Sequence, residues 1–399
     1  MKKLNIVSFD EAYTRVFNLV DSELSVEYVS LFDALSRVLA EDIICQKNLP
    51  SFNNSAMDGF AFNYKDIGKK LKVKKTIYAG KNIEPCLEKN ECYKIMTGAK
   101  VPDDADTIIP FENCIEYDEN YVILPKDIKK GNAFRFKGEE YKEGSVLLHK
   151  GDVLNSSKIA LLASQGISTV LVYKKLSIAI FSTGDELKEP WQKAREDEIY
   201  NANSFSIKAV LNEHGFCADY CGVIPDNLKD SIEYFKKMKK YDAIITSGGI
   251  SLGEADFIED ALKANGFKES FHGINLKPGK PTMFGKLENS LVASMPGNPL
   301  AAFINSFLIL IPALKKLQGH KEFSHRKILV KNAKEFKLKS GRVNLVLGSV
   351  EDSNFFVYNN NKYGSGMIKP IKNSNAIFIS NENETLVEQN RYIEIIFFS

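Results

Sequence analysis

The chain has 399 residues, of which 44% are hydrophobic and 26% charged, and at about 150 residues per domain this length suggests roughly two to four domains. Its 26 Phe and 16 Tyr supply enough apolar surface to exclude a mainly disordered protein. Lys plus Arg number 53 against 51 Asp plus Glu, a net charge of +2. This balance argues against a nucleic-acid binder that works through bulk charge.

The sequence carries no sign of secretion or of a membrane anchor. Asp10 and Glu11 fall where a signal peptide needs an apolar run, and the apolar stretch 301–317 is broken by polar residues and a proline and is predicted to be too short to cross a bilayer. The six cysteines lack CxxC spacing, and the five histidines form no metal-binding pair. We predict a cytoplasmic, zinc-free protein with free buried thiols and no nucleic-acid or membrane partner.

The first 175 residues contain two kinds of segment. Apolar residues recur at helical spacing within 1–50 and 138–175, whereas 51–137 has short β-type runs punctuated by Gly, Pro and Asn. We predict a helical linker domain split by a β-rich insert domain. Asp58 and Thr97 lie in turn-like segments of small residues, and Glu140 is interpreted as a helix start.

Strands and helices alternate between residues 176 and 322, which predicts a parallel sheet covered by helices on both faces. Ligands bind outside the carboxyl ends of the strands in such sheets, and every unusual loop of this segment follows a strand. The last segment, 323–399, has β-type runs only and is predicted to form a small β-barrel or sandwich. The predicted fold class is α/β and multidomain.

A glycine-rich loop, SGGISLGEAD at 247–256, follows the strand that ends at Thr246. Backbone N–H groups of such a loop and the N-terminus of the next helix favour anions such as phosphate. The loop is neither a GxGxxG fingerprint nor a P-loop. Asp256 either caps the next helix or holds a metal ion or a hydroxyl group.

Further carboxylates follow two other strands, Asp185 and Glu186 in STGDE and Asp226 in the dipeptide PD. Each reads singly as a helix cap or an acidic first turn. Together with Asp256 they are predicted to converge on one edge of the sheet, where oxygen-only ligands suit Mg²⁺.

Two proline-containing loops complete this edge. KPGKP at 277–281 holds two lysines on a stiff turn that would direct them toward an oxyanion. MPGNP at 295–299 follows an apolar strand, and Pro299 suits the first position of the next helix.

Six motifs stand in order along the chain: SAMDGFA, MTGA, STGDEL, SGGISLGEAD, KPGKP and MPGNP. Through them the chain resembles, over essentially its whole length, the molybdopterin molybdenumtransferases, the MoeA-type proteins related to the E domains of gephyrin and its plant counterpart. The resemblance implies insertion of molybdenum from molybdate into adenylylated molybdopterin, with Mg²⁺ or a similar divalent ion and release of AMP.

The resemblance also implies an architecture of four domains. These are an elongated dimerising linker domain (1–50 and 138–175), a β insert (51–137), a central MogA/MoaB-like molybdopterin-binding α/β domain (176–322) and a C-terminal β domain (323–399). Subunits would form a homodimer whose active cleft lies between the α/β domain of one and the insert of the other. Contacts with the molybdopterin adenylyltransferase and with apo-molybdoenzymes are implied as well.

Site roles follow from the matching motifs. The implied catalytic residues are Asp58, Thr97, Glu140, Asp185, Glu186, Asp226 and Asp256, the last four also as metal ligands and the first three reaching the cleft across the dimer. The implied substrate-binding residues are Thr183, Gly184, Ser247, Gly248, Gly249, Ser251, Gly253, Lys277, Lys280, Pro296, Gly297, Asn298, Pro299, Arg342 and Ser365. Within this set, the 247–253 loop would hold the nucleotide-pterin phosphates, and the two lysines molybdate or the pyrophosphate.

Two positions depart from the family pattern. Leu347 replaces the second arginine of a C-terminal GRxxFxR sequence, so Arg342 or a lysine would have to bind the oxyanion there, and Glu140 replaces a shorter aspartate. Three alternatives stay open: a gephyrin-like scaffold, a molybdopterin adenylyltransferase, and tungstate in place of molybdate. Intact acidic and lysine loops favour catalysis over a scaffold, and the additional β domains favour insertion over adenylylation.

Overall fold

The computed structural model describes residues 5–20, 24–81, 83–224, 227–250 and 257–398. It begins with α1 (Phe9–Leu19), whose first turn is capped by Ser8, since the Ser8 hydroxyl accepts a hydrogen bond from the Glu11 backbone N–H. The buried face of α1 carries Ala12 and Val16, which pack into the core of the central α/β region. Two short strands follow, β1 (Val26–Ser30) and β2 (Ile43–Ile44).

The insert is built from strands, as the sequence predicts. Its strands are β3 (Asn54–Ser55), β4 (Gly59–Phe62), β5 (Lys70–Ile77), β6 (Glu91–Ile95), β7 (Thr107–Pro110), β8 (Glu116–Tyr117), β9 (Tyr121–Ile123) and β10 (Phe134–Arg135). Six of them form a mixed sheet in the order β7-β4-β6-β5-β9-β8, and β3 pairs with β10. Apolar side chains pack on both faces of the six-stranded sheet, which gives the insert a core of its own.

The chain then returns through β11 (Val146–Leu148), α2 (Ser156–Ser164) and β12 (Thr169–Tyr173). The expectation of helix throughout the two linker segments is wrong, because β1 pairs antiparallel with β12 and β2 with β11. Apolar spacing within a short segment cannot report a strand partner more than 100 residues away. Glu140 lies in a turn before β11 and starts no helix.

The central region contains most of the helices. Its elements are β13 (Ile178–Thr183), β14 (Leu187–Lys188), β15 (Ile199–Tyr200), α3 (Asn203–Glu213), β16 (Asp219–Ile224), α4 (Leu228–Met238), β17 (Ala243–Ser247), α5 (Ile258–Ala264), β18 (Lys268–His272), β19 (Leu276–Lys277), β20 (Met283–Leu287), β21 (Ser290–Met295), α6 (Pro299–Asn305) and α7 (Ile311–Leu317). The main sheet has the order β16-β13-β17-β21-β20-β18. Its first four strands are parallel to one another, but β20 runs antiparallel to both of its neighbours, β21 and β18. The prediction of a parallel sheet is therefore wrong at this edge, where a hairpin extends the sheet.

A π-helical turn at 306–310 joins α6 to α7 without a break. The resulting segment, Pro299–Leu317, is 19 residues long and apolar enough to span a membrane by length and composition, contrary to the sequence expectation, but 89% of its most apolar window is buried inside the protein. Pro299 stands at the helix start, as predicted. The segment is a core helix packed against the sheet.

The C-terminal strands are β22 (Ile328–Asn332), β23 (Phe336–Lys337), β24 (Val343–Glu351), β25 (Asn354–Val357), β26 (Ala376–Ile379), β27 (Leu386–Val387) and β28 (Tyr392–Phe397), with one short helix, α8 (Lys369–Lys372). β24, β25, β22, β28 and β26 close into a five-stranded barrel because β26 pairs back onto β24. The barrel alternative of the sequence prediction is confirmed. β19 pairs with β24, and this pairing attaches the barrel to the central region.

The six cysteines are free, but the expectation that they are buried holds only for Cys45 and Cys92. Cys217 is exposed, and the other three are partly buried.

Candidate functional site

Three strand ends of the central sheet enclose a cleft of about 280 Å³, which we call the glycine cleft. Parallel pairing of β13, β17 and β21 brings their carboxyl ends to one edge. The site residues predicted from sequence that line this cleft are Thr183, Gly184, Glu186, Ser247, Gly248, Gly249, Pro296, Gly297 and Pro299. The predicted convergence of these loops is therefore present in the fold.

Close backbone packing explains the glycines. Gly248 and Gly249 have φ of +89° and +66°, a region that residues with a Cβ rarely adopt. A Cβ on Gly249 would lie 2.5 Å from the Thr183 hydroxyl oxygen and 2.6 Å from Ile258. The loop after β17 can thus approach the end of β13 only with glycine at these positions.

One asparagine that the sequence reasoning missed ties two walls of this cleft together. The Asn203 amide N–H₂ donates to Ser247 Oγ at 2.9 Å and to the Gly297 carbonyl at 2.8 Å. Behind it, the Ser182 hydroxyl donates to Asn201 Oδ1 at 3.0 Å, and Asn201 Nδ2 donates to the Tyr220 hydroxyl at 2.9 Å. The available signal was the polar stretch Asn201–Asn203 directly before the predicted helix.

The carboxylates predicted to hold a metal are only partly described. Asp185 and Glu186 are exposed at the end of β13, and neither side chain has an ion pair or hydrogen bond within the described residues. Glu186 lines the glycine cleft, and its oxygens lie 2.7–2.8 Å from where a Cβ on Gly184 would be. Asp226, Ser251, Gly253 and Asp256 lie outside the described residues.

A second cleft of about 440 Å³ lies between the central region and the barrel, and we call it the cationic cleft. Lys277, Lys280 and Arg342 line it together with Asn298 and Ser365. The pairing of β19 with β24 aligns Lys277 with Asn344, two residues after Arg342. In the described parts of the chain none of the three cations has an ion pair, and Arg342 Nε is buried without a hydrogen-bond partner.

Buried polar groups hold the KPGKP loop from below. Asn305 Nδ2 donates to the Gly279 carbonyl at 2.9 Å and to Thr282 Oγ1, and the Thr282 hydroxyl donates to the same carbonyl at 2.8 Å. Gly279 has a φ of +107°, and a Cβ there would meet Asn305 Nδ2 at 2.4 Å. The α6 helix thus fixes the turn between the two lysines.

The two clefts are neighbours. Pro281 and Pro296 line both, and the Leu300 N–H donates to the Ser365 carbonyl at 3.1 Å, which links the barrel to the start of α6. Leu347, which replaces the second arginine, is fully buried in the core, and its N–H donates to the Tyr363 hydroxyl at 2.8 Å. Burial raises the pKa of Tyr363 to about 12.

Asp58, Thr97 and Glu140 line neither cleft within one chain. The Asp58 carboxylate accepts hydrogen bonds of 2.7 Å from the Thr97 N–H and from the Thr97 hydroxyl, and these bonds, the backbone one foremost, lower the pKa of Asp58. Glu140 forms an ion pair with Arg135. The structure therefore joins Asp58 to Thr97 but brings neither of them, nor Glu140, to the glycine or cationic cleft of the same chain.

The fold, a central α/β region with a β insert and a C-terminal barrel, matches a class of molybdopterin-related proteins. Residues 7–166 match the MoeA N-terminal region (domains I and II), and residues 179–316 match a probable molybdopterin-binding domain. The molybdopterin molybdenumtransferases of Haemophilus influenzae and Staphylococcus epidermidis are 35% and 33% identical to this chain, each over 80% of it and over 79% and 78% of their own lengths.

A solved structure of the MoeA protein from Pyrococcus horikoshii superposes with a TM-score of 0.85 at 26% identity, covering 98% of this chain and all of that one. The chain belongs to the molybdopterin molybdenumtransferase (MoeA) family. It is accordingly a transferase of molybdenum cofactor biosynthesis.

Proposed function

We propose that this protein inserts molybdenum from molybdate into adenylylated molybdopterin and releases AMP, with Mg²⁺ as its divalent ion. The observation that carries the proposal is the cationic cleft, where three cations that have no anionic partner among the described residues lie beside a glycine-lined cleft. Lys277 and Lys280 are exposed and Arg342 is half-buried, so the three like charges repel one another across the cleft and an anion bound there would relieve that repulsion.

Each cleft suits one substrate. The N–H groups and small residues at the ends of β13, β17 and β21 fit the phosphates of the adenylylated pterin, while Lys277, Lys280 and Arg342 fit a tetrahedral oxyanion. The shared wall at Pro281 and Pro296 would hold both reactants side by side, so that most of the rate enhancement comes from positioning and from neutralisation of charge.

Asp185 and Glu186 fit a hydrated Mg²⁺ ion, because they are exposed carboxylates without cationic partners among the described residues and one of them lines the cleft. Asp226 and Asp256 are proposed as further ligands. When bound, the ion would neutralise phosphate charge and polarise the phosphoanhydride that is cleaved. The carboxylates would hold the ion beside the 247–250 loop, whose N–H groups would contact the phosphates.

We further propose a cytoplasmic homodimer that receives its substrate from the adenylyltransferase and passes its product to apo-molybdoenzymes. The support for the dimer is an apolar surface on the linker domain, where Phe32, Tyr28 and Leu35 are 99%, 73% and 59% exposed. In the dimer, Asp58, Thr97 and Glu140 would reach the clefts of the partner subunit. A Phe32→Glu variant should sediment as a monomer if this surface is the interface.

Reconstitution tests the activity directly. Purified protein, adenylylated molybdopterin, Mg²⁺ and molybdate should release AMP only when molybdate is present, and the product should activate an apo-molybdoenzyme. Chelation of the divalent ion should stop the release. Consumption of ATP with unmodified molybdopterin, with transfer of the AMP moiety to the pterin and release of pyrophosphate, would indicate an adenylyltransferase instead, and a folded dimer without either activity would indicate a scaffold.

A further inference from the structure

A buried histidine holds the far end of the loop after β17. His272, the last residue of β18, is 5% exposed, and its Nε2 lies 2.9 Å from the carbonyl oxygen of Ile250. A carbonyl only accepts, so Nε2 carries the proton in this contact. The bond joins an edge strand of the sheet to the glycine-rich loop 22 residues earlier in the chain.

The other ring nitrogen faces a buried carboxylate. His272 Nδ1 lies 3.4 Å from Glu259 Oε2, and Glu259 is 8% exposed on α5. Lys263, one turn further along α5, forms an ion pair with Glu259 and lies 4.0 Å from Glu269. This ion pair supplies the counter-charge that a buried carboxylate requires, and the Glu259 bond raises the pKa of Lys263.

The loop needs such an anchor because its own backbone restricts it little. Gly248 and Gly249 take left-handed conformations that glycine reaches freely. At its start the loop is held by Asn203 on Ser247 and by the Gly248 N–H, which donates to the Met295 carbonyl at 3.2 Å. Beyond the glycines, the described residues hold it through the Ile250 carbonyl and through the Ile250 side chain, which is buried in an apolar cluster with Phe181 and Ile258.

We propose that His272 is a positioning residue: buried between β18 and α5, it fixes the Ile250 carbonyl and thereby the direction in which the 247–250 loop faces the glycine cleft. The role rests on the proposed function, since the cleft is the predicted binding place of the adenylylated pterin. Ile250 itself lines that cleft.

The same side chains resemble a metal site. One ligand atom each from Glu259, Glu269 and His272 lies within 4.8 Å of the others. However, the ammonium group of Lys263 already contacts Glu259 and approaches Glu269, so a cation of the protein itself occupies this position. The structure therefore favours a cluster of interacting side chains over a bound ion. We call this cluster, formed by His272, Glu259, Lys263 and Glu269, the clasp.

The test compares His272→Leu, which removes the hydrogen bond, with His272→Gln, whose amide N–H₂ can reach the place of Nε2. His325→Leu is the matched control, because His325 Nε2 also bonds a carbonyl, that of Phe307 at 2.8 Å, but packs against the core helix away from both clefts. Two quantities are measured: amide hydrogen exchange of residues 247–250 without substrate, and KM for adenylylated molybdopterin.

His272→Leu should accelerate exchange in this loop and raise KM about ten-fold, the usual loss for one buried hydrogen bond, with a smaller change in kcat. His272→Gln should restore most of both, and His325→Leu should change neither, even at an equal loss of melting temperature. Unchanged exchange in His272→Leu would refute the clasp. If the wild type lacks molybdate-dependent AMP release, the proposed function fails while the exchange data still decide the clasp.

A bound metal would also overturn it. Equilibrium dialysis against Zn²⁺ or Mn²⁺ followed by elemental analysis should show no site that depends on His272. One equivalent of metal held by the wild type and lost in His272→Gln would replace the clasp by a metal centre.

Discussion

The glycine cleft and the cationic cleft share a wall but are opposite in chemistry. The first presents backbone groups, small residues and the exposed carboxylate of Glu186, whereas the second presents Lys277, Lys280 and Arg342. In both, the charged groups lack partners of opposite sign among the described residues. A carboxylate on one side of the shared wall and cations on the other suit two anionic substrates. The substrate in the glycine cleft would bind together with a divalent ion, and the substrate in the cationic cleft would bind without one.

The largest expected effect is in the cationic cleft. Lys277→Ala combined with Lys280→Ala should raise KM for molybdate about 100-fold or more, because each charge-assisted hydrogen bond contributes roughly 1.5–3 kcal/mol. KM for adenylylated molybdopterin should change much less. The measurement is the molybdate dependence of AMP release, with Lys334→Ala plus Lys372→Ala, both exposed and outside the clefts, as the control. Equal changes for both substrates would show that the clefts are not separate.

Asn203→Ala tests the glycine cleft. The variant loses both hydrogen bonds that tie Ser247 to Gly297, so KM for adenylylated molybdopterin should rise about ten-fold and the free energy of unfolding should fall by roughly 1–2 kcal/mol. The KM for each substrate and the free energy of unfolding in urea are the measurements that check this. Asn212→Ala, exposed on the same helix, should leave both unchanged. A larger effect on molybdate than on the pterin would reverse the assignment of the clefts.

Glu186→Gln tests whether the carboxylates bind the divalent ion while the cations bind molybdate. Loss of one negative charge should raise the half-saturating Mg²⁺ concentration several-fold, because Mg²⁺ binds through few carboxylates and keeps waters on its remaining positions. Glu196→Gln, an exposed neutral substitution ten residues on, is the control. If Glu186→Gln shifts the molybdate dependence alone, its carboxylate acts on the oxyanion rather than on the ion.

The smallest expected effect lies outside both clefts. It concerns how the free energy of unfolding depends on pH, apart from any effect of pH on substrate binding. Burial, with a contribution from the charge of Lys315, lowers the pKa of His320 and of His325 to about 4. Below their ordinary pKa of 6.5 the unfolded chain binds more protons than the folded chain, so stability is lost as the pH falls. Between pH 7.5 and pH 6, each histidine should lower the free energy of unfolding by about 0.8 kcal/mol.

The check is the free energy of unfolding as a function of pH. His320→Gln with His325→Gln should flatten this dependence between pH 7.5 and 6. If the slope of the variant equals that of the wild type, other groups cause the acid lability.

The insert domain offers a contrast with the clefts. Its candidate acid, Asp58, is satisfied by two hydrogen bonds from Thr97, so a role in catalysis depends on the partner subunit bringing a substrate to it. The exposed Phe32 is part of the surface that would build this arrangement. Sequence motifs identified Asp58 and Thr97 as separate candidates, and only the structure shows that they contact each other.

Local signals in the sequence determined a large part of this protein. Periodic apolar runs fixed most elements of the central region, and glycines, prolines and carboxylates after its strands fixed the candidate loops, because these features depend on residues close together in the chain. The ordered motifs gave the family. Tertiary structure alone decided the β1–β12 pairing, the antiparallel placement of β20 between β21 and β18, and the closure of the barrel.

Tertiary structure also decided the supports of the site. Asn203, Asn305 and His272 carry no motif, and each acts through a hydrogen bond to a residue at least 22 positions away. Leu347 likewise became interpretable only as a buried core residue beside Tyr363. Such contacts form only when distant segments pack together, so the chain order of residue types does not reveal them.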